Sequence, residues 1–362
     1  MRPTRIDQVL TSLAGRDAIG YHTLQLRQLL RGMGFRSDIF FANATPDVKG
    51  EGSELSRLGA ADPDRWLVYQ LSIGSSAGDV VLGRPETVIV NYHNITPADL
   101  LSPWMPEVAD EVSWGRRQLN QFAKRSHGAI AVSHFNETEL LQCGYHRTSM
   151  APPLIDLGAF ATRADRHRRA RLEALRRQGG TQLLFVGKVA PHKAQHELIA
   201  MLALYRRLYD EHAVLHIVGG IMSEDYRKAL VTYAGELGLR QAVEITGSVS
   251  HQEITAYYQS TDVFVCASRH EGFCVPLVEA MHHGLPVVAM DAGAVAETLS
   301  GAGLVGAERD ALWMATAVHR VRTDPDLAAA MVERGRRRVE QLRPERAGAA
   351  FASALDGLLS DA

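Results

Sequence analysis

A chain of 362 residues can hold two domains of ordinary size, and its 46% apolar and 22% charged residues are the proportions of a globular protein. The net charge of −2 excludes the basic surplus expected of a nucleic-acid-binding protein. The three cysteines, Cys143, Cys266 and Cys274, show neither metal-ligand nor disulfide spacing, which favours a reducing cytoplasm. No apolar run approaches the length that spans a bilayer, so we expect peripheral membrane contact at most.

The N-terminal residues alternate strand and helix patterns as a Rossmann-like half does. We predict a strand over Ile6–Leu13, a turn over Ala14–Gly20, a helix over Tyr21–Met33 and a strand over Asp38–Ala42. The turn after the first strand faces the carboxyl edge of the sheet, where open α/β folds bind ligands. Gly20 is the glycine best placed in that turn for a ligand, although a plain connection between strand and helix is the alternative.

A third strand, Arg65–Ile73, is followed by a short match to the nucleophile elbow of serine hydrolases, with Ser76 as the nucleophile. That elbow requires a helix immediately after the serine. We expect none, because Asp79–Arg84 is too short for one before Pro85. The pattern therefore disfavours a hydrolase.

The fourth strand, Thr87–Tyr92, ends directly before His93. A histidine just past the carboxyl end of a parallel strand is expected to point into a ligand-binding cleft. The alternative is a histidine that only caps the following turn. Pro152 and Pro153 mark the end of the first predicted domain.

The second half opens with a strand over Gln182–Gly187, and Lys188 and Lys193 lie in the loop that follows it. Two cations beside the N-terminus of the next helix can neutralise a diphosphate without a metal, although solvated loop lysines are the alternative. His192 and His196 have the spacing of metal ligands, but no third ligand is in view. Further along, Gly219 ends a strand and allows close approach of a base or ribose.

The most informative stretch follows the apolar strand Val263–Ala267. Glu271 lies in the loop after that strand, and Glu279 lies about one turn inside a helix that Pro276 can start and Gly284 can end. The helix N-terminus attracts phosphates, and a carboxylate on either side of it can bind a ribose or a sugar. The backbone N–H groups between the two carboxylates belong to Gly272, Phe273, Cys274 and Val275.

This stretch resembles a known family. Glu271, seven residues and Glu279, with Gly-Phe and a proline between them, resemble the E-x7-E signature of retaining GT-B glycosyltransferases of the GT4 type, known as group 1. Tyr-His-Asn-Ile-Thr-Pro, which contains His93, resembles a bacterial subgroup that acts in polysaccharide, glycolipid and aminoglycoside assembly. The sequence departs from the family pattern where Lys188 replaces an arginine and Ala194 a glycine. If the resemblance is discarded, the two glutamates are a solvated loop acid and a first-turn helix acid.

The resemblance implies an α/β protein with the GT-B fold, in which two Rossmann-like domains with parallel sheets face each other across a cleft. The acceptor domain is expected over residues 1–157, completed by a C-terminal helix over 344–362, and the nucleotide-sugar domain over 158–343. Catalytic roles are implied for His93, Lys193 and Glu271. Donor binding is implied for Gly20, Gly187, Lys188, Lys193, Gly219, Glu271, Gly272, Phe273, Cys274, Val275 and Glu279.

The implied reaction is transfer of a hexosyl group, with retention, from a nucleotide-sugar to an acceptor hydroxyl. UDP- or GDP-sugars are the expected donors, and sugars, lipid-linked sugars or small molecules the expected acceptors. No cofactor or metal is expected, because no D-x-D follows an apolar strand. Two alternatives stay open: another GT-B chemistry, such as a nucleotide-sugar epimerase or a phosphorylase, and a non-catalytic nucleotide-sugar-binding protein. The sequence specifies neither the base, the sugar and the acceptor nor the oligomeric state.

Overall fold

The computed structural model describes residues 3–15, 17–158, 163–177 and 179–360. The chain divides into two compact units. The first takes in Met1–Ala98, Glu107–Asp156 and Leu342–Ala362, and the second takes in Asp99–Pro106 and Leu157–Gln341. The short segment Asp99–Pro106 therefore packs with the second unit, although the chain on both sides of it belongs to the first.

The first unit is built on a parallel sheet of seven strands in the order β3-β2-β1-β4-β5-β6-β7. The strands are β1 (Arg5–Leu13), β2 (Ile39–Ala44), β3 (Ser53–Glu54), β4 (Arg65–Leu71), β5 (Thr87–Tyr92), β6 (Gly128–Ala131) and β7 (Thr148–Met150). Its first four helices are α1 (Ala18–Gly32), α2 (Ser76–Leu82), α3 (Pro106–Arg125) and α4 (His134–Gln142). β4 is buried along its whole length, as expected of a central parallel strand that is covered on both faces.

The second unit is built on a parallel sheet of six strands in the order β10-β9-β8-β11-β12-β13. The strands are β8 (Gln182–Val186), β9 (Val214–Val218), β10 (Val243–Ile245), β11 (Val263–Cys266), β12 (Val287–Met290) and β13 (Leu304–Gly306). The helices are α5 (Arg166–Arg177), α6 (Gln195–Leu208), α7 (Glu224–Glu236), α8 (His251–Ser260), α9 (Val275–His282), α10 (Val295–Leu299), α11 (Ala311–Thr323) and α12 (Pro325–Gln341).

The last helix, α13 (Pro344–Ser360), returns to the first unit. Phe351 and Leu355 of α13 are buried in the same apolar cluster as Ile6 of β1 and Trp66 of β4. Pro344 is the first residue of α13, where the missing N–H of proline would have no helical acceptor in any case.

The two parallel sheets with their helices confirm the predicted α/β class with two Rossmann-like units. Two local predictions are wrong. The helix α1 begins at Ala18, so Gly20 lies inside its first turn and not in the connecting turn. A Cβ on Gly20 would lie 2.0 Å from the carbonyl oxygen of Ala14, so glycine is required there by the close approach of that loop.

The second wrong prediction concerns the residues after Ser75. A helix, α2, does form there, because the Ser75 hydroxyl accepts the N–H of Gly78 at 3.4 Å and caps it. Of the neighbours Ser75 and Ser76, Ser75 is the buried one, and its hydroxyl lies 2.8 Å from that of Thr11. Ser76, the nucleophile of the elbow hypothesis, is exposed on the first turn of α2. Among the helices of the described residues, none has the length and apolar character needed to cross a membrane.

Candidate functional site

The loop between β11 and α9 is held in place by the chain after β12. The carbonyl oxygen of Glu271 accepts the N–H of Ala294 at 2.9 Å. Gly293, the preceding residue, has φ +60°, and a Cβ added to it would lie 2.2 Å from that same oxygen. Only glycine fits this approach, so Gly293 supports the position of Glu271. Sequence reasoning did not single it out, although a glycine in the short turn after an apolar strand was the available signal.

Lys193 and Glu271 form an ion pair in this loop. Lys193 Nζ lies 2.7 Å from one carboxylate oxygen of Glu271 and 2.8 Å from the other, and Glu271 is buried. Burial alone would lower the pKa of Lys193, but the Glu271 carboxylate outweighs it, and the pKa is raised. The structure therefore places an ammonium and a carboxylate together in a poorly solvated position, where each is available to a ligand of opposite charge or to hydroxyl groups.

A network of charges ties the loop after β8 to the loop after β11. The N–H of Arg269 donates to the carbonyl of His192 at 2.8 Å. The Nε atoms of Arg269 and Arg309 each lie 2.9 Å from a carboxylate oxygen of Glu197, which is in the first turn of α6. Arg309 also donates to the carbonyl of Ser268 at 3.2 Å. This network positions the two loops that carry Lys193 and Glu271, and periodicity in the sequence gives no sign of it.

Backbone strain concentrates beside the predicted site residues. Among the described residues, four that are not glycine have a positive φ: Asn94, Ala194, Cys274 and Ser300. Asn94 follows His93 and Ala194 follows Lys193. Such conformations cost of order 1–3 kcal/mol each and cluster at functional sites. The observation therefore supports the choice of these loops as functional segments.

Glu279 lies on α9, half-buried, and its carboxylate accepts the hydroxyl of Tyr258 at 2.7 Å. Burial raises the pKa of Glu279 to about 7. The ring of Tyr258 stacks on His283 with centroids 5.0 Å apart, which fixes the hydroxyl that points to the carboxylate. Near neutral pH, Glu279 is therefore close to its midpoint of ionisation and gains or loses a proton readily when a ligand arrives.

The N-terminal end of α9 presents backbone N–H groups. Cys274 is the residue before the first helical position, and Val275 and Pro276 are the first two residues of the helix. Pro276 has no N–H, and the N–H of Leu277 donates to the carbonyl of Cys274 at 3.0 Å, so the N–H of Val275 is the one that the first three helical residues offer to an anion. Gly272 and Phe273 lie in the loop that leads to this end.

The carboxyl ends of β8 and β9 lie close together, and a glycine directly follows each strand. A Cβ on Gly219 would lie 2.1 Å from the carbonyl oxygen of Gly187, so the two backbones meet without side chains between them. Lys188, the residue after Gly187, is exposed, and its carbonyl accepts from Gln195 at 2.9 Å. The edge of this sheet is thus open to a flat or phosphorylated ligand.

In the first unit, a chain of buried amides fixes the protonation of His93. The carbonyl of Thr23 can only accept, so Gln8 turns its amide N–H to it at 2.9 Å. The Oε1 of Gln8 then accepts from Gln70 at 2.8 Å, and the Oε1 of Gln70 accepts from Nδ2 of Asn91 at 2.8 Å and from Nε2 of His93 at 2.6 Å. His93 therefore carries its proton on Nε2. Burial, with His22 adjacent, holds the pKa of His93 well below its usual range, so the ring is neutral.

The predicted site residues fall into two groups. Gly20 and His93 belong to the first unit, and the other predicted residues belong to the second. Within the second unit, Lys193 and Glu271 are in direct contact. His192 and His196, which have the spacing of metal ligands, are not assembled as a site: His196 bonds the hydroxyl of Tyr226 at 2.8 Å, and the one cluster of potential metal ligands among the described residues contains neither histidine.

The family described as "Glycosyl transferases group 1" matches residues 168–338 of the chain. The match covers slightly less than half of the chain. The matched region contains Lys193, Glu271 and Glu279, whereas His93 and Gly20 lie outside it.

Curated relatives carry glycosyltransferase names. The chain is 32% identical to a GDP-mannose-dependent alpha-(1-6)-phosphatidylinositol monomannoside mannosyltransferase of Mycobacterium tuberculosis, over 51% of this chain and 49% of that protein. It is 31% identical to a D-inositol 3-phosphate glycosyltransferase of Salinispora arenicola, over 53% of this chain and 45% of that protein. The matches thus span about half the length of these relatives.

Solved structures show the fold over almost the whole chain. HepE of Anabaena, solved in complex with UDP and glucose, matches with a TM-score of 0.77 and 17% identity, over 98% of this chain and 100% of that one. A sucrose-phosphate synthase of Thermosynechococcus elongatus matches with a TM-score of 0.76 and 18% identity, over 99% and 100%. The chain has the GT-B fold, as the resemblance implied.

Proposed function

We propose that this chain is a group 1 glycosyltransferase that moves a hexosyl group from a nucleotide-sugar to an acceptor hydroxyl, with retention of configuration and without a metal. The observation that carries the proposal is the contact of Lys193 with both carboxylate oxygens of Glu271, within the region that matches the family. An ammonium and a carboxylate side by side suit a ligand that has phosphate at one point and hydroxyls at the next.

Each end of the donor has a group suited to it. We assign the diphosphate to Lys193, Lys188 and the N–H groups at the start of α9. We assign the ribose hydroxyls to Glu279 and the sugar hydroxyls to Glu271. When the diphosphate arrives, Lys193 exchanges its carboxylate partner for phosphate, and the sugar hydroxyls donate to the oxygens of Glu271 that the lysine leaves.

The proposed chemistry needs charge stabilisation more than a protein nucleophile. The bond between the anomeric carbon and the phosphate oxygen breaks, and the acceptor oxygen forms its bond to that carbon on the same face. The acceptor's proton passes to the leaving phosphate oxygen. Lys193 and Lys188 stabilise the charge that develops on that oxygen, which is the largest protein contribution in such sites.

His93 is assigned to the transfer step. Its Nε2–H is committed to Gln70, so Nδ1 and the main chain are the groups that face other partners. A neutral ring, whose pKa burial lowers, can accept a hydrogen bond from a hydroxyl without adding positive charge near the anomeric carbon.

The comparisons suggest two classes of donor. HepE is in complex with UDP and glucose, and the mycobacterial relative is named for GDP-mannose. We therefore propose a UDP- or GDP-sugar as donor. The acceptor is a hydroxyl of a sugar, a lipid-linked sugar or a small molecule, within polysaccharide, glycolipid or glycosylated natural-product synthesis.

The test begins with a thermal-shift panel of UDP-, GDP- and ADP-sugars. A ligand at a hundredfold excess over its dissociation constant adds about 2.7 kcal/mol to the free energy of unfolding, so the true donor stands out. That donor is then incubated with and without candidate acceptors, and the products are followed by proton NMR. A product whose anomeric configuration matches the donor, formed equally well in EDTA, supports the proposal.

Three results would contradict parts of it. Inversion of the anomeric centre would refute the retaining mechanism. Loss of transfer in EDTA that Mg²⁺ or Mn²⁺ restores would refute metal independence. Conversion of the donor alone to an epimer would replace transfer with epimerisation.

A further inference from the structure

Three buried ligand atoms meet at the start of α9. The Cys266 thiol comes from the end of β11, the Glu271 carboxylate from the loop that follows and the Cys274 thiol from the residue before α9. One ligand atom from each residue lies within 4.8 Å of the other two, and all three residues are buried. The proposed donor site uses the carboxylate of Glu271 and the backbone of Cys274, but neither thiol.

These ligand atoms suit a thiophilic divalent cation. Zn²⁺ binds thiolates at about 2.3 Å and carboxylate oxygens at about 2.0–2.2 Å, most often in tetrahedral geometry. Two sulfur ligands on one such ion lie roughly 3.8 Å apart, so the three atoms reach binding geometry by shifts of about 1 Å or less. A water molecule or a phosphate oxygen completes the fourth position.

The surroundings balance the charge of such a complex. One Zn²⁺ with two thiolates and one carboxylate carries a single negative charge. Lys193 Nζ, 2.7 Å from Glu271, neutralises it. The two thiol protons leave to solvent when the metal binds, so binding tightens as the pH rises.

The backbone at Cys274 is the second observation. Its φ of +68° and ψ of +67° lie in the left-handed region, where glycine is the residue free of strain. The chain has a cysteine there, with its side chain turned into the buried cluster with Cys266. Strained residues that are not glycine point to a role for the side chain.

We propose that Cys266, Glu271 and Cys274 form an inhibitory site for a thiophilic divalent cation, and that the cation bound is Zn²⁺. The ion binds the Glu271 carboxylate that the proposed donor site assigns to the sugar, so the metal and the donor compete for it. The inhibitory part of this inference rests on the proposed function, because it predicts competition between metal and donor.

The site itself is tested by cobalt spectroscopy, which needs no activity. Co²⁺ added to the full chain produces thiolate-to-cobalt charge-transfer absorption that saturates at one equivalent and is abolished by stoichiometric Zn²⁺. Cys266→Ser loses this absorption. The matched control is Cys143→Ser, which alters the half-buried cysteine after α4 in the other unit and keeps the absorption.

Inhibition is tested in the transfer assay. Zn²⁺ raises the apparent KM for the donor without lowering the extrapolated kcat, and EDTA restores the original KM. In Cys266→Ser the Zn²⁺ concentration for half inhibition rises at least tenfold. The Cys143→Ser protein is inhibited by Zn²⁺ at the same concentration as the wild type.

Each outcome decides part of the proposal. Absence of charge-transfer absorption, or its survival in Cys266→Ser, overturns the site. If Cys266→Ser fails to fold, Cys274→Gly replaces it, since glycine suits the left-handed backbone and the substitution removes the other thiol ligand. A cobalt site without competitive inhibition by Zn²⁺ overturns the inhibitory role. If no donor is transferred under any condition, the proposed function fails while the cobalt spectrum still decides the site.

Discussion

Lys193 Nζ lies 2.7 and 2.8 Å from the two carboxylate oxygens of Glu271, although the residues are 78 positions apart in the chain. The lysine thus already has an anionic partner in the structure, which a diphosphate has to displace if it binds to the lysine as proposed. A sugar that donates hydroxyl groups to Glu271 makes this exchange favourable, whereas phosphate alone leaves the carboxylate buried without a partner. The pair therefore favours a ligand that carries both phosphate and sugar.

Replacement of Lys193 tests its role in the transfer step. Lys193→Ala removes the cation that we assign to the leaving phosphate, and we expect turnover to fall roughly hundred- to thousandfold. The measurement is the steady-state kcat with the donor found by thermal shift. Lys228→Ala is the matched control, because that lysine is exposed on α7 and pairs with the exposed Asp225. Near-wild-type turnover of folded Lys193→Ala would return Lys193 to the role of a solvated loop lysine.

Replacement of His93 separates transfer from donor binding. His93→Ala is expected to leave the affinity for the bare nucleotide within a few-fold while kcat drops, because the residue is assigned to the reaction step. Calorimetry and kinetics on the same preparation measure the two quantities. His134→Ala, which alters an exposed histidine, is the control. Equal loss of affinity and turnover would show a structural histidine.

The amide chain behind His93 provides a readout in the pH profile. Gln70→Glu places a carboxylate against Nε2 of His93, and a nearby negative charge raises the pKa of a histidine. We expect the acidic limb of the kcat profile to move to higher pH in this variant. An unshifted limb would contradict the assignment of a neutral His93 to the reaction.

The raised pKa of Glu279 predicts coupling between nucleotide binding and protons. A ribose that donates to the carboxylate favours its ionised form, so binding releases protons near the pKa of about 7 and affinity increases as the pH rises through that value. Calorimetry in buffers of different ionisation enthalpy measures the release. Glu279→Gln abolishes it, whereas Glu333→Gln, on the surface of α12, does not. Proton release that is unchanged in Glu279→Gln would contradict the assignment.

The same group affects stability with a definite sign. The pKa of Glu279 is higher in the folded chain than the ordinary 4.5, so between these values the folded state binds more protons than the unfolded state. Its contribution to the free energy of unfolding is therefore present at low pH and is lost as the pH rises toward about 7. In Glu279→Gln, the free energy of unfolding is expected to change less with pH over this range.

The left-handed backbone at Ala194 predicts a stabilising substitution. Ala194 has φ +50° and ψ +41° at the residue before α6, and a left-handed conformation costs a residue with a Cβ about 1–2 kcal/mol. Ala194→Gly removes the clash at the expense of chain entropy, and we expect a net gain of about 1 kcal/mol, equivalent to roughly 2–4 °C in Tm. Thermal unfolding of the unliganded protein measures it. A lower Tm would show that the methyl group of this buried alanine contributes more through packing than it costs in strain.

Local patterns in the sequence predicted the parts of the structure that depend on neighbours in the chain. The strand, loop and helix around Glu271 and those around Lys193 were placed within a few residues, because apolar runs, Pro276 and Gly284 mark their ends. The resemblance supplied the fold, which the two parallel sheets and the solved relatives confirm. The helix after Ser75 was missed, because a single serine cap stabilised a helix that was expected to be too short.

Long-range contacts could not be predicted in the same way. The pairing of Glu197 with Arg309 joins residues 112 positions apart, and the support of Glu271 by Gly293 depends on the adjacency of β11 and β12. The role of Gln70 at His93 requires the register of β4 against β5. Such contacts follow from topology, which the local patterns of a single sequence do not specify. The assignment of substrate contacts to the individual site residues stays a prediction.

Calorimetric titration of the matching nucleoside diphosphate into the wild type, Glu279→Ala and Glu271→Ala tests the account most directly. The bare nucleotide has the ribose and the diphosphate but no sugar. Glu279→Ala is therefore expected to weaken binding by about 1–3 kcal/mol, the value of a hydrogen bond to a charged group. Glu271→Ala is expected to keep or improve the affinity, since it frees Lys193 for the diphosphate, and yet to abolish transfer. Equal losses of affinity in the two variants, or no loss in either, would contradict the proposed donor site.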